Sequence, residues 1–304
     1  MSETPDPVFI LAAPCCGASF VAASLGCHPQ LHATPELNLF MARDLGELLE
    51  VFRLSQGPAA DGLLRVAAQL MFGQQGNAQI AQAREWLRQN SQLAVGAVLR
   101  EIAAATGGRG LVVPDTETPM RPSDIARLHA QLPNARFLHL TRHPYTQGIL
   151  MSESLQERLF VPSDYRDHSL DPAPVEPQLP WLRANHNILS WVKPGRESRY
   201  LHVTFESVEN EPQASLRRIC EWLGVATDER AIDAMRACEN WIYWGFGPTA
   251  APYGLEPEAL EEFSAAALEE AYDAPSLKKT LPWKPEPSGF AAKVSALAAE
   301  MGYQ

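Results

Sequence analysis

The stretch 7–40, PVFILAAPCCGASFVAASLGCHPQLHATPELNLF, constrains the fold more than any other part of the chain. Val8 to Ala13 is a continuous apolar run, the pattern of a strand buried on both faces of a parallel sheet. It breaks at Pro14-Cys15-Cys16-Gly17-Ala18-Ser19, and a helix of small residues follows over 17–27. A strand, a tight turn and a helix start together present backbone N–H groups to an anion. Gly17 and Ala18 permit close approach and the Ser19 hydroxyl adds a hydrogen bond, although the same small residues also suit tight packing. A second loop then delivers Pro35-Glu36-Leu37-Asn38. A carboxylate beside an anion site is repelled by its neighbour, and taking a proton from an attacking hydroxyl is one reason to place it there. Capping a helix from its loop is the other reading of Glu36.

Charge narrows the chemistry. The formal net charge of −11 argues against a nucleic-acid binder, which needs an extended basic face, while leaving room for a local basic pocket for a small anion. All five lysines (Lys193, Lys278, Lys279, Lys284, Lys293) lie beyond residue 192, so any cation meeting an anion in the first part of the chain is Arg or His. The Gly-x4-Gly-Lys-Ser/Thr loop of many ATPases and kinases is therefore absent, which argues against a phosphotransferase. The five cysteines are odd in number and lack the paired spacing of a zinc site, so no metal and a reducing compartment are expected. Cys15-Cys16 reads either as a reactive pair near a helix N-terminus or as small residues packing a turn. No apolar run reaches the roughly eighteen residues of a membrane span. The acidic start is unlike a signal peptide, and a cytoplasmic location follows as the expectation.

Further strands are expected at 110–113, 136–141 and 200–204, with helices at 122–132, 146–160, 181–191, 211–223, 256–271 and 288–302. Residues 41–106 read as three or four helices broken near Gly57-Pro58, Gly73 to Gly76 and Asn90-Ser91. Residues 161–180, rich in Pro and acids, read as a loop or lid, and the aromatic segment 240–254 as a loop. The fold class is α/β: an open, mostly parallel sheet flanked by helices on both faces, with a helical insertion after the first βα unit. One domain is expected over 1–304, with the insertion at 41–106 and a C-terminal helical extension at 240–304. In such sheets ligands sit beyond the carboxyl ends of the strands, where the Pro14–Ser19 turn and Arg142 both fall.

Together these elements resemble the sulfotransferases that use 3′-phosphoadenosine-5′-phosphosulfate (PAPS), and the likeness runs over most of the chain. Pro14-Cys15-Cys16-Gly17-Ala18-Ser19 looks like the family's 5′-phosphosulfate loop, Pro-Arg/Lys-Ser-Gly-Thr-Thr. Cys27-His28-Pro29 to Phe40 looks like the HP…PE-x-x-x-F stretch of bacterial members, and Phe137 to Pro144 like the strand that ends in the 3′-phosphate arginine. Arg199 to Glu206, Pro212 and Leu216 to Gly224 also follow the family pattern.

The resemblance implies transfer of a sulfuryl group from PAPS, leaving PAP (3′-phosphoadenosine-5′-phosphate), to a hydroxyl or amine of a small-molecule or acyl-carrier-bound acceptor. Cys15, Cys16, Gly17, Ala18, Ser19 and Phe20 would hold the phosphosulfate, Arg142 the 3′-phosphate, and Glu36 would be the general base. His28 and His32 are candidates to assist as acid or base, or to pack and cap. Two positions depart from the pattern. Cys15 stands where the family has a cation, with Arg43, Arg121, Arg158 and Arg183 as candidate replacements. Leu150 stands where the family has a 3′-phosphate serine, with Ser152 and Ser154 nearby. The alternative function is a diverged, non-catalytic relative that binds a nucleotide or a partner protein. Self-association is left open.

Overall fold

The computed structural model describes residues 6–55, 58–156, 161–254, 276–284 and 287–304. At its centre is a sheet of five strands: β1 (Val8–Leu11), β2 (Leu31–Ala33), β3 (Gly110–Asp115), β4 (Arg136–Thr141) and β5 (Tyr200–Thr204). Their order is β2-β3-β1-β4-β5 and every pairing is parallel. Leu11 sits level with Asp115 on one side and His139 on the other, and His139 level with His202. The carboxyl ends of four strands therefore finish at a common edge.

Alternation along the strands divides the core. Phe9, Leu11, Leu111, Val113 and Phe137 face one cluster; Val8, Ile10, Val112, Leu138, Leu140 and Val203 face the other. The first face is covered by the insertion, which folds as four helices: α2 (Leu45–Ser55), α3 (Asp61–Phe72), α4 (Asn77–Gln89) and α5 (Val95–Ala104). Each turns an apolar stripe inward, such as Ile80, Ala83 and Leu87, or Val95, Val98, Leu99 and Ile102. α6 (Pro122–Gln131) joins them through Ile125 and Leu128. The second face carries α1 (Ala18–Gly26), α7 (Pro144–Gln156), α8 (Gln178–Asn187), α9 (Phe205–Asn210), α10 (Pro212–Leu223), α11 (Glu229–Arg236) and α12 (Ala292–Glu300).

The structure adds one strand to the expected four. β2 is three residues long between Pro29 and Pro35, too short to show a period, and only its pairing with β3 defines it. α9 and α11 are also additions. The helix expected over 181–191 begins at Gln178, and the chain passes into a π-helical turn at Ile188–Val192. α7 starts two residues before the expected position, while 157–160 and the helix expected over 256–271 lie outside the described residues. Residues 161–180 are irregular apart from the turn Ser163–Tyr165, a bridge between Arg166 and Val175, and the entry into α8. This segment is tied down from the C-terminal side, where Trp283 Nε1 donates to Glu176 Oε1 at 3.2 Å and Lys284 pairs with the same carboxylate. No helix among the described residues is long and apolar enough to cross a membrane.

Candidate active site

The turn after β1 is built for close approach. Gly17 has φ +82°, and a Cβ there would lie 2.2 Å from Phe205 Cε2, so the position admits only glycine without rearrangement. Cys15 also has positive φ, 60°, a conformation that L residues adopt at a cost of about 1–3 kcal/mol. Gln147 of α7 holds the turn from below, its side-chain amide donating to Pro14 O at 3.0 Å. Ser19 and Phe20 lie in the first turn of α1, with Phe20 packed edge-on to Phe205.

The two thiols have different surroundings. Cys16 is buried, and desolvation pushes its pKa up to about 12 despite the nearby Arg142 charge. It packs the turn, and its burial disfavours the thiolate that the reactive-pair reading needs. Cys15 is half-buried.

Glu36 stands three residues past the end of β2. Its Oε1 accepts from Thr116 Oγ1 at 2.9 Å, and Thr116 directly follows β3. The backbone is fixed as well: a Cβ on Gly62 of α3 would lie 2.1 Å from Glu36 O, so that helix seats directly on the glutamate's peptide. Asn38, at φ 53°, donates to Ala59 O at 3.1 Å and closes the loop.

Arg142 follows β4 and is 4 % exposed. Its guanidinium lies 4.6 Å from the Phe205 ring centre and 3.4 Å from Glu209 Oε1. Its carbonyl accepts from Trp181 Nε1 at 2.9 Å. Behind it runs a buried polar chain. Tyr200 Oη contacts His139 Nδ1 at 2.6 Å, His139 Nε2 contacts Asn185 Oδ1 at 2.8 Å, and Asn185 Nδ2 donates to Trp181 O at 2.8 Å. With Asn185 Oδ1 as acceptor, His139 carries its proton on Nε2, and Nδ1 accepts a hydrogen bond from Tyr200 Oη. The next peptide is anchored too, His143 N donating to Glu206 Oε1 at 2.6 Å while Tyr303 Oη donates to Glu206 Oε2 at 3.2 Å.

The structure thus brings the Cys15–Phe20 turn, Glu36 and Arg142 to the carboxyl edge of one sheet. Ser152 and Ser154 lie further along α7, and the Ser152 hydroxyl is used on Gly148 O at 2.7 Å. His28 and His32 are elsewhere. α1 runs from the carboxyl edge to the amino edge, and His28 follows its end, with one ring nitrogen 3.0 Å from Ala226 O and the other accepting from Gln30 N at 3.1 Å. His32, on β2, meets Tyr243 Oη at 3.2 Å. Of the candidate replacement cations, Arg43, exposed just before α2, pairs with Glu47, Arg121 with Asp164 and Glu117, and Arg183 with Asp164; Arg158 lies outside the described residues. In the aromatic loop Trp241 and Tyr243 are core residues, whereas Phe246 is exposed and stacks near Tyr253. Sequence reasoning missed Thr116, Gln147, Trp181 and Phe205, whose roles exist only through contacts with distant parts of the chain.

Burial also sets a pH response. Desolvation lowers His32, His143 and His202 to about 4 and His139 to about 3, so all four are neutral in the fold. The unfolded chain takes up these protons near pH 6.5 and the folded chain does not, so stability is full above pH 6.5 and falls as pH drops toward 4. Each group contributes about 1.4 kcal/mol per pH unit in that window. Thermal melts should show Tm dropping steeply from pH 6.5 to 5; a flat profile would contradict this burial.

A family model described as "Sulfotransferase family" matches residues 7–229. The fold is similar to a sulfotransferase domain from the curacin biosynthetic pathway, at TM-score 0.71 and 19 % identity over 100 % of this chain and 99 % of that one. It is also similar to the sulfotransferase domain of the Synechococcus PCC 7002 olefin synthase, at TM-score 0.69 and 21 % identity, again over 100 % and 99 %. A search of curated proteins gives no significant match.

Proposed function

The chain belongs to the sulfotransferase family, and on that premise we propose that it moves a sulfuryl group from PAPS to a hydroxyl or amine of a small-molecule or carrier-bound acceptor. The observation that carries the reading is the convergence of three unlike groups on one sheet edge: a left-handed glycine turn, a carboxylate and a buried arginine. A carboxylate beside an anion site is favoured where a proton must be removed from the attacking acceptor.

In this reading the backbone N–H groups of the turn and the Ser19 hydroxyl hold the 5′-phosphosulfate, and Arg142 forks onto the 3′-phosphate. The acceptor oxygen attacks sulfur in line, the bond from sulfur to the bridging oxygen breaks, and PAP leaves with that electron pair. Glu36 accepts the acceptor's proton, with Thr116 orienting the carboxylate. Positioning and charge stabilisation supply most of the rate, as in phosphoryl transfer. A reducing, cytoplasmic setting suits the five free cysteines, and the whole chain acts as one sulfotransferase-like domain. Both similar structures belong to biosynthetic systems, which fits a metabolite or a tethered biosynthetic chain as acceptor.

The absent cation at Cys15 favours a second reading, a non-catalytic relative that binds nucleotide or a partner protein. One experiment separates the two: incubation with PAPS and a panel of hydroxyl and amine acceptors, measuring PAP release and sulfated product. Turnover supports the enzyme. Cys15→Arg should then raise kcat by roughly 10-fold or more, because a restored cation meets the charge developing on the bridging oxygen. PAP binding with no turnover in either protein would favour the second reading.

A further inference from the structure

A cavity of about 380 Å³ opens at the amino edge of the sheet, at the far end of α1 from the Cys15–Phe20 turn. Its walls include Cys27, His32, Arg109, Asn240, Trp241 and Ile242. The polar groups point to one kind of occupant. Arg109 anchors itself through Nε on Thr106 O at 3.1 Å and makes no ion pair with any described residue, which leaves its terminal nitrogens for a ligand. His32 is 2 % exposed; Tyr243 Oη takes one ring nitrogen, and the other has no hydrogen bond among the described residues. The exposed Asn240 adds an amide. The other wall groups are already engaged or apolar: His28 has both ring nitrogens occupied, on Ala226 O and Gln30 N, Cys27 Sγ donates to Ala237 O, Trp241 uses its N–H on Ala33 O at 3.0 Å, and Ile242 offers only carbon.

We infer that this cavity is a binding site for a small monocarboxylate with an apolar body, its carboxylate on Arg109 and His32 and its body against Trp241 and Ile242. A single cation matches a single charge, whereas a phosphate dianion would call for more; the guanidinium fork fits two carboxylate oxygens. The surroundings of His32 agree. Burial and the Arg109 charge together lower its pKa to about 4, so at neutral pH the ring is uncharged and can donate one hydrogen bond to a carboxylate oxygen. The other groups facing this region are Tyr243, also within the field of Arg109 and Arg65, and Glu239 beside Cys27. The cavity volume is within the range of small-molecule sites.

Benzoate is a suitable probe. At pH 7 its titration into the full chain, followed by NMR of the His32 ring protons, should give a saturable shift with Kd near about 1 mM. Arg109→Gln should weaken this at least tenfold. Ile242→Glu, at a position 50 % exposed, should do the same by placing a like charge at the rim. PAP affinity should be unchanged in both variants, since neither residue lies at the carboxyl edge. The inference is overturned if the ring shows no saturable shift, or if both variants bind benzoate as the unmodified chain does.

Discussion

Glu36→Gln should abolish most turnover, by about 10²–10⁴-fold, while leaving PAP affinity within about twofold of the unmodified chain. The split follows from where the carboxylate sits. Its loop is fixed by Gly62 against its own carbonyl and by Asn38 on Ala59 O, so the neutral amide occupies the same place. Thr116 Oγ1 can still donate to the amide oxygen, as it does to Glu36 Oε1 at 2.9 Å. What the amide lacks is basicity. Single-turnover rates with PAPS and a working acceptor, beside calorimetric titration with PAP, give the two numbers. Equal loss of both would mean that Glu36 shapes the nucleotide site rather than the chemistry. Full activity would remove it from the mechanism.

Arg142→Lys should weaken PAP binding by roughly 10²–10³-fold and leave the fold intact. The backbone at 142 is held independently of the side chain, through Trp181 Nε1 on its carbonyl and Glu206 on the following N–H. Lysine keeps the charge near Glu209 but loses the planar fork and its stacking on Phe205. In the unliganded chain Glu209 partly neutralises the guanidinium, at 3.4 Å with a side chain 36 % exposed. The 3′-phosphate has to compete with it, so PAP affinity should also rise modestly in Glu209→Gln. PAP bound equally well by Arg142→Lys would place the 3′-phosphate elsewhere.

The sheet's middle was legible because β1 is an unbroken apolar run, β3 carries Leu111 to Val113 at its centre, and β4 alternates around an apolar core. The insertion was legible for the opposite reason. Its helices bury one stripe each, and Gly-Pro, Gly-rich and Asn-Ser breaks separate them. β2 was not, because three residues carry no period and its partner lies some eighty positions away. At the site, the turn and Arg142 could be placed from strand ends alone. Phe205 could not: its ring determines why residue 17 must be glycine, yet nothing in the local pattern at 205 announces it. Likewise His28 and His32 are close to the turn in sequence, but α1 carries the chain across the sheet between them. Proximity along a chain misleads wherever a helix of about 1.5 Å per residue intervenes.

The most direct test of the central claim is calorimetric titration of the unmodified chain with PAP, paired with Gly17→Val. Saturable binding in the micromolar range is expected for the unmodified chain, and none for Gly17→Val, whose Cβ cannot share space with Phe205 Cε2 at 2.2 Å. Absence of PAP binding to the unmodified chain, or undiminished binding with valine at position 17, would contradict the claim.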